Sequence, residues 1–132
     1  MAQLNLYLKF DGNCKLALEF YETVFGGQLS LQTIGDSPAA GQFPSEMKER
    51  ILHGSLAKDE LRIFGTDVAG PKLTQGNNVF LCLICKSKEE IETLFSKLSS
   101  GGKITNPLKQ EFFGTYGDLS DKFGVNWMLQ FA

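Results

Sequence analysis

The sequence predicts an α+β protein made of two tandem βαβββ modules. Three observations predict it: an internal repeat, a change of hydrophobic period inside each copy, and a Gly-Gly pair closing each helical stretch. Leu6 to Leu29 lies over Leu81 to Ile104 at a constant offset of 75 with no gap. The alignment pairs Leu6 with Leu81, Leu8 with Leu83, Phe20 with Phe95, and Gly26-Gly27 with Gly101-Gly102.

Each copy opens with alternation, Leu4, Leu6, Leu8 and Phe10 in the first and Val79, Leu81 and Leu83 in the second, as a half-buried strand requires. Helical spacing follows, through Leu16, Phe20 and Val24 with Ala17 beside them, and through Ile91, Leu94, Phe95 and Leu98. The Gly-Gly pairs then end the helices, because a left-handed C-terminal cap favours a residue without a Cβ. Ser87 followed by Glu90 has the spacing of a capping box. Short strands come next: Gln28 to Ile34, Ile51 to Leu56 and Leu61 to Phe64, then Lys103 to Thr105, Gly114 to Leu119 and Val125 to Phe131. A looser echo lays His53-Gly54-Ser55-Leu56 over Tyr116-Gly117-Asp118-Leu119. Gly35 to Glu49, with its two prolines and small residues, is expected to be a long flexible loop or an arm exchanged with a partner. The modules are thus residues 1–69 and 79–132, joined by a linker over 70–78, in one compact domain.

Composition excludes several classes. The formal net charge of −2 and the scattered positive residues offer no basic stripe for a phosphate backbone, so nucleic acid is not an expected partner. No apolar run reaches the roughly 20 residues needed to span a bilayer, and the N-terminus lacks the pattern of a signal peptide. A cytoplasmic protein with no membrane partner is expected. Cys14, Cys82 and Cys85 are odd in number, which disfavours a disulfide framework. Cys82 and Cys85 spell C-x-x-C, but inside an apolar strand rather than at a helix N-terminus, so they are read as buried structural thiols.

Phe10-Asp11-Gly12-Asn13-Cys14, Leu18-Glu19-Phe20-Tyr21, Phe25-Gly26-Gly27, Leu52-His53 and Asp121-Lys122-Phe123-Gly124-Val125-Asn126-Trp127 resemble the PhnB-like branch of the vicinal oxygen chelate superfamily. This branch is often labelled 3-demethylubiquinone-9 3-methyltransferase-like, and the superfamily includes glyoxalase I, bleomycin-resistance proteins and extradiol dioxygenases. The resemblance covers essentially the whole chain and implies curved mixed sheets that enclose a cavity. It also implies a homodimer, since related chains pair or exchange modules. Phe113-Gly114 stands where members of the branch commonly carry a tryptophan-glycine pair, which keeps the aromatic bulk and loses the indole donor. The methyltransferase label finds no cofactor fold in this sequence to support it.

Metal-using members of the superfamily hold a divalent ion with one side chain from the first and one from the last strand of each module. On this chain those places fall on Asn5, Phe80, Leu61 or Ile63, and Met128, a set without carboxylate or imidazole, so no metal and no other cofactor is expected. An alternative set from Asp11, Glu60 and Asp118 stays open.

The alternation that turns Leu8 and Phe10 toward the helix turns Tyr7 the other way, so Tyr7, Phe80, Cys82, Met128 and Gln130 are expected to line the concave face. Plain packing between the modules is the competing reading, strongest for Phe80 and Met128. His53, the sole histidine, suits an acidic ligand or general-base work, against a satisfied structural histidine near a dimer seam. Trp127 falls on the face opposite Met128 and is expected to anchor the core. The candidate ligand-binding residues are therefore Tyr7, His53, Phe80, Cys82, Phe113, Met128 and Gln130, with His53 the one catalytic candidate. Together they suggest a metal-independent homodimer that binds a small hydrophobic or aromatic molecule. The rivals are a glyoxalase-type lyase or isomerase, or another metal-dependent enzyme, and a dimer with no ligand.

Overall fold

The computed structural model describes residues 1–68 and 72–132, and the chain divides into two compact units, Met1–Thr74 and Gln75–Ala132. The start of the linker read at 70–78 lies outside the described residues.

The first unit runs β1 (Tyr7–Lys9), α1 (Cys14–Phe25), β2 (Gln28–Thr33), β3 (Ile51–Lys58) and β4 (Leu61–Thr66). Its sheet has the order β1-β4-β3-β2, with β1 parallel to β4 and the other pairs antiparallel. The helix covers one sheet face. Its buried side is Cys14, Ala17, Leu18, Tyr21 and Val24, packed with Phe10, Ile51, Leu56 and Ile63. This corrects the phase expected from Leu16, which is 63% exposed: α1 is apolar on more than one side, so spacing alone does not fix which side is buried. The first strand is also shorter than its alternation suggests, because Leu4 is fully exposed and pairing begins near Leu6.

Helix and sheet meet closely because Gly54 offers no side chain at the crossing; a Cβ there would lie 2.5 Å from Leu18 Cδ1. Asn13 provides no side-chain cap for α1. A remote residue supplies the missing acceptor. The buried Asp67 carboxylate accepts from the backbone N–H groups of Gly12 (2.9 Å), Cys14 (3.0 Å) and Ile51 (2.8 Å), tying the helix start to β3. The stretch read as a flexible loop is folded back on itself. Ile34 and Gly35 donate to the carbonyls of Arg50 and Lys48, both at 2.9 Å, and two 3-10 turns, Ala40–Gln42 and Ser45–Met47, fill the loop.

The second unit repeats the plan with β5 (Leu81–Ile84), α2 (Lys88–Ser99), β6 (Lys103–Glu111), β7 (Gly114–Ser120) and β8 (Asn126–Phe131). The order is β5-β8-β7-β6, with β5 parallel to β8. Ile91, Phe95 and Leu98 of α2 bury against Leu119, Trp127 and Leu129, and Gly117 yields to Phe95 as Gly54 does to Leu18. Ser87 Oγ accepts from Glu90 N at 3.0 Å, while the Glu90 carboxylate accepts from Lys86 N at 2.8 Å, one residue earlier than a reciprocal box would place it. β6 runs six residues beyond the expected Thr105, straight through Pro107. Pro107 lacks a donor, but β6 is an edge strand and its pairing with β7 is irregular there.

The segment Asp121 to Trp127, one of the stretches that carry the sequence resemblance, is a structural turn. Asp121 Oδ1 accepts from Phe123 N (2.8 Å) and Val125 N (3.1 Å), and Oδ2 accepts from the Trp127 indole at 2.8 Å. Gly124 takes a φ of 82°, open to glycine at little cost. Trp127 is 1% exposed, so it anchors the core as its parity requires. Each unit is therefore an open four-stranded mixed sheet with one helix-covered face.

Candidate functional site

The face of each sheet away from its helix carries the candidate site residues. In the first unit, register sets Tyr7 beside Phe64, Phe64 beside Ser55, and Ser55 beside Ser30 across four strands. His53, two residues from Ser55 on the same face, completes an aromatic cluster. Ring centroids are 5.7 Å apart for Tyr7 and His53, 6.1 Å for Tyr7 and Phe64, and 5.7 Å for His53 and Phe64. The Tyr7 hydroxyl and His53 Nδ1 share a hydrogen bond of 2.9 Å. Tyr7 is 48% exposed and His53 is exposed, so polar tips and ring faces are both accessible. Partial burial, with the Cys14 sulfur nearby, raises the Tyr7 phenol above its ordinary value, keeping it protonated near neutrality.

The second unit presents a different surface at equivalent register. Cys82 pairs with Met128 and Met128 with Asp118, while Ile84 pairs with Gln130 and Gln130 with Tyr116. Asp118 is 93% buried, yet every partner is in place. Thr105 Oγ1 donates to Oδ1, Asn106 Nδ2 donates to both oxygens at 3.0 Å, and the Tyr116 hydroxyl donates to Oδ2 at 2.7 Å. Burial pushes this carboxyl up, but the hydrogen bonds from Thr105, Tyr116 and Asn106 outweigh it and hold the group below its usual range. Tyr116 responds oppositely: its bond to Asp118, then burial, then the carboxylate charge raise its phenol to about 12.

The expected residues thus fall in two groups. Tyr7 and His53 meet in the first unit; Cys82, Met128 and Gln130 share one face of the second. Phe80 lies just before β5 and is 36% exposed, and Phe113 sits between β6 and β7 with its ring edge-on to Tyr116 at 6.1 Å. Cys82 is exposed, which corrects its reading as a buried thiol, whereas Cys85 is buried and its thiol is pushed up to about 11, first by burial. Phe64, Tyr116 and Asp118 were not among the expected ligand contacts. The echo of His53-Gly54-Ser55 in Tyr116-Gly117-Asp118 is the signal that could have placed Tyr116 and Asp118, since it gives them the parity of His53 and Ser55; it does not reach Phe64.

A divalent cation does not fit the positions that the superfamily uses. Ile63 is fully buried on the helix side, and Asn5, Leu61, Phe80 and Met128 supply no carboxylate or imidazole. Among the described residues no three His, Cys, Asp or Glu side chains converge as a metal group. Two of the three alternative members are engaged elsewhere, Asp11 with Arg50 at 2.9 Å and Asp118 with its three donors. A polar depression of about 620 Å³ lies at the base of the 35–49 loop in the first unit, lined by Lys15, Asp36, Lys48 and Glu49 among others.

Residues 2–130 match the family described as 3-demethylubiquinone-9 3-methyltransferase. The chain is 31% identical over 138 residues to Protein YjdN of Escherichia coli K12, covering 96% of this chain and 92% of that one. The crystal structure of protein PA1353 from Pseudomonas aeruginosa is similar at a TM-score of 0.87 and 30% identity, covering 99% of this chain and 98% of that one. A putative 3-demethylubiquinone-9 3-methyltransferase, PhnB protein, from Bacillus cereus is similar at a TM-score of 0.79 and 26% identity, over 99% and 100% of the two chains. A glyoxylase/bleomycin resistance protein/dioxygenase domain from Frankia shares the fold at a TM-score of 0.65 and 15% identity, over 100% and 93%.

Proposed function

The chain belongs to the 3-demethylubiquinone-9 3-methyltransferase family, the PhnB-like branch of the vicinal oxygen chelate superfamily, and from that premise we propose that it is a metal-independent homodimer that binds a small hydrophobic or aromatic molecule. The observation that carries this reading is the Tyr7, His53 and Phe64 cluster, an accessible group of ring faces with a polar edge. Small-molecule sites combine an apolar lining with a few placed polar groups, and this cluster has both. A sheet face serving only as core would bury such rings. The non-ligating side chains at the superfamily's metal positions support metal independence.

Association with a second copy is supported by exposed large apolar side chains, Phe112 at 100%, Ile84 at 70% and Val79 at 68%. A cytoplasmic setting is supported by three free cysteines, one of them exposed. Among the described residues no helix is long and apolar enough to cross a membrane.

His53 is the sole histidine, so its imidazole Hε1 resonance is a single-site reporter. Titrating the protein with a panel of small aromatic compounds while following that signal tests the reading. Binding at the cluster shifts His53 saturably, and Tyr7→Phe alters the response. If compounds bind, as judged by their own line broadening, and His53 stays unmoved, the cluster is not the site.

A further inference from the structure

The second sheet face has a polar device whose chemistry is set by proton bookkeeping. Asp118 is a buried carboxylate, an acceptor only, and four hydrogen bonds from Thr105, Asn106 and Tyr116 fill it. The Tyr116 hydroxyl has one proton, and it is committed to Asp118 Oδ2 at 2.7 Å. What Tyr116 offers to anything else is oxygen lone pairs. Tyr116 is half-buried, with Phe113 edge-on to its ring and Gln130 opposite it in register, while Met128 and Cys82 continue the same face. A ligand body there meets thioether, thiol and aromatic surface beside one fixed acceptor.

We propose that Tyr116, its proton held by the positioning residue Asp118, is a specificity-determining acceptor that selects ligands bearing an O–H or N–H donor on an apolar or aromatic body. The inference rests on the reading of the sheet faces as ligand-binding surfaces and adds which polar group the ligand carries. An ether or carbonyl oxygen brought to Tyr116 meets lone pair against lone pair. A phenolic hydroxyl, an amine or an amide N–H completes the chain that ends on the buried charge. A donor bonded to Tyr116 is strengthened by that charge, because linked hydrogen bonds polarise one another. The unusually high phenol of Tyr116 agrees with this arrangement, since the proton is retained far above neutrality.

Phenol and anisole, which differ by a methyl on the donor oxygen, are the probes. Their binding is followed by the Met128 methyl resonance for this face and by the His53 imidazole for the other. One net hydrogen bond makes phenol bind wild type roughly three- to tenfold more tightly than anisole at Met128. Tyr116→Phe, which keeps the ring and cannot accept, brings the ratio to about 1 without weakening anisole. Asp118→Asn lowers the ratio and also moves the high-pH ultraviolet ionisation step of Tyr116 downward at an unchanged near-ultraviolet circular dichroism spectrum, which excludes loosened packing as the cause; Thr105→Val serves as a second perturbation of the carboxylate should Asp118→Asn fail to fold. A ratio that persists in Tyr116→Phe overturns the proposal, as does a wild-type ratio near 1. If Met128 is silent while His53 responds, this proposal falls and the broader ligand-binding reading survives. If neither responds to any compound of the aromatic panel, both fall.

Discussion

Asp67 and Asp121 are the two buried carboxylates whose work is structural. Each gathers three hydrogen-bond donors from segments that would otherwise end unsatisfied: the start of α1 and β3 for Asp67, the β7–β8 turn and the Trp127 indole for Asp121. Removing such an acceptor leaves buried N–H groups unpaired, at about 1–3 kcal/mol each. Asp67→Ala is therefore expected to lower the unfolding free energy by several kcal/mol, on the order of the upper end of single-site effects, as urea denaturation would read. A change under about 0.5 kcal/mol would show that water replaces the carboxylate. His53 behaves otherwise. It is exposed on a sheet face, so His53→Ala should shift stability by less than about 1 kcal/mol while weakening aromatic ligands, and parallel denaturation and binding titrations separate the two effects. These residue-scale roles were unevenly legible. The sequence marks Trp127 as a core residue by parity, but Asp67 acts across more than 50 positions of chain, beyond the reach of local spacing.

At the scale of elements, the repeat resolves into matched crossings. Gly54 on β3 and Gly117 on β7 occupy the same place in their units, each beneath a large helix side chain. A methyl at either position must displace Leu18 or Phe95, so Gly54→Ala and Gly117→Ala are each expected to cost about 1–3 kcal/mol through overpacking, measured as a fall in the denaturation midpoint at unchanged slope. A neutral substitution at both would mean that the helices slide freely over the sheets. The βαβββ order was readable because period changes and glycine caps are local signals. The phase of α1 was not, since Leu16, Ala17, Phe20 and Val24 leave several apolar sides and only packing chooses among them. The extension of β6 past Pro107 escaped for a related reason: a proline argues against a strand until the strand is known to be an edge.

For the whole molecule, the two units keep their helix-facing chemistry and differ on the other face. Tyr7, Phe64 and Ser55 stand in register in the first, where the second has Cys82, Met128 and Asp118. That divergence gives one aromatic face with an imidazole and one softer face with a fixed acceptor. Strand parity points to Tyr7, Cys82, Met128 and Gln130, whereas Phe64 and the Tyr116–Asp118 pair emerge from the register of the paired strands. Titration also belongs to this scale. Cys14 is raised to about 12 by burial and then the Asp67 charge, Cys85 to about 11, and Tyr116 to about 12, against ordinary values of 9.0 for the thiols and 10.0 for the phenol. Raised folded-state values favour the protonated fold, so their contribution is complete below pH 9 and is lost as pH rises from 9 toward 12. Asp118 has the opposite sign: its lowered carboxyl stabilises the fold above its unfolded value of 3.8, and the contribution fades as pH falls below that. Thermal unfolding across pH should show a shoulder of lost stability above pH 9, and Tyr116→Phe should flatten part of it.

The central claim is a dimer that binds a small organic molecule without a metal, and native mass spectrometry in a volatile buffer tests it most directly. One spectrum reports subunit number, bound metal and any co-purified compound together. The account predicts twice the 14.6 kDa chain mass, no stoichiometric divalent ion, and an added organic mass after incubation with an aromatic ligand. A divalent ion retained at one per site would contradict it and move the rival glyoxalase-type lyase or isomerase ahead.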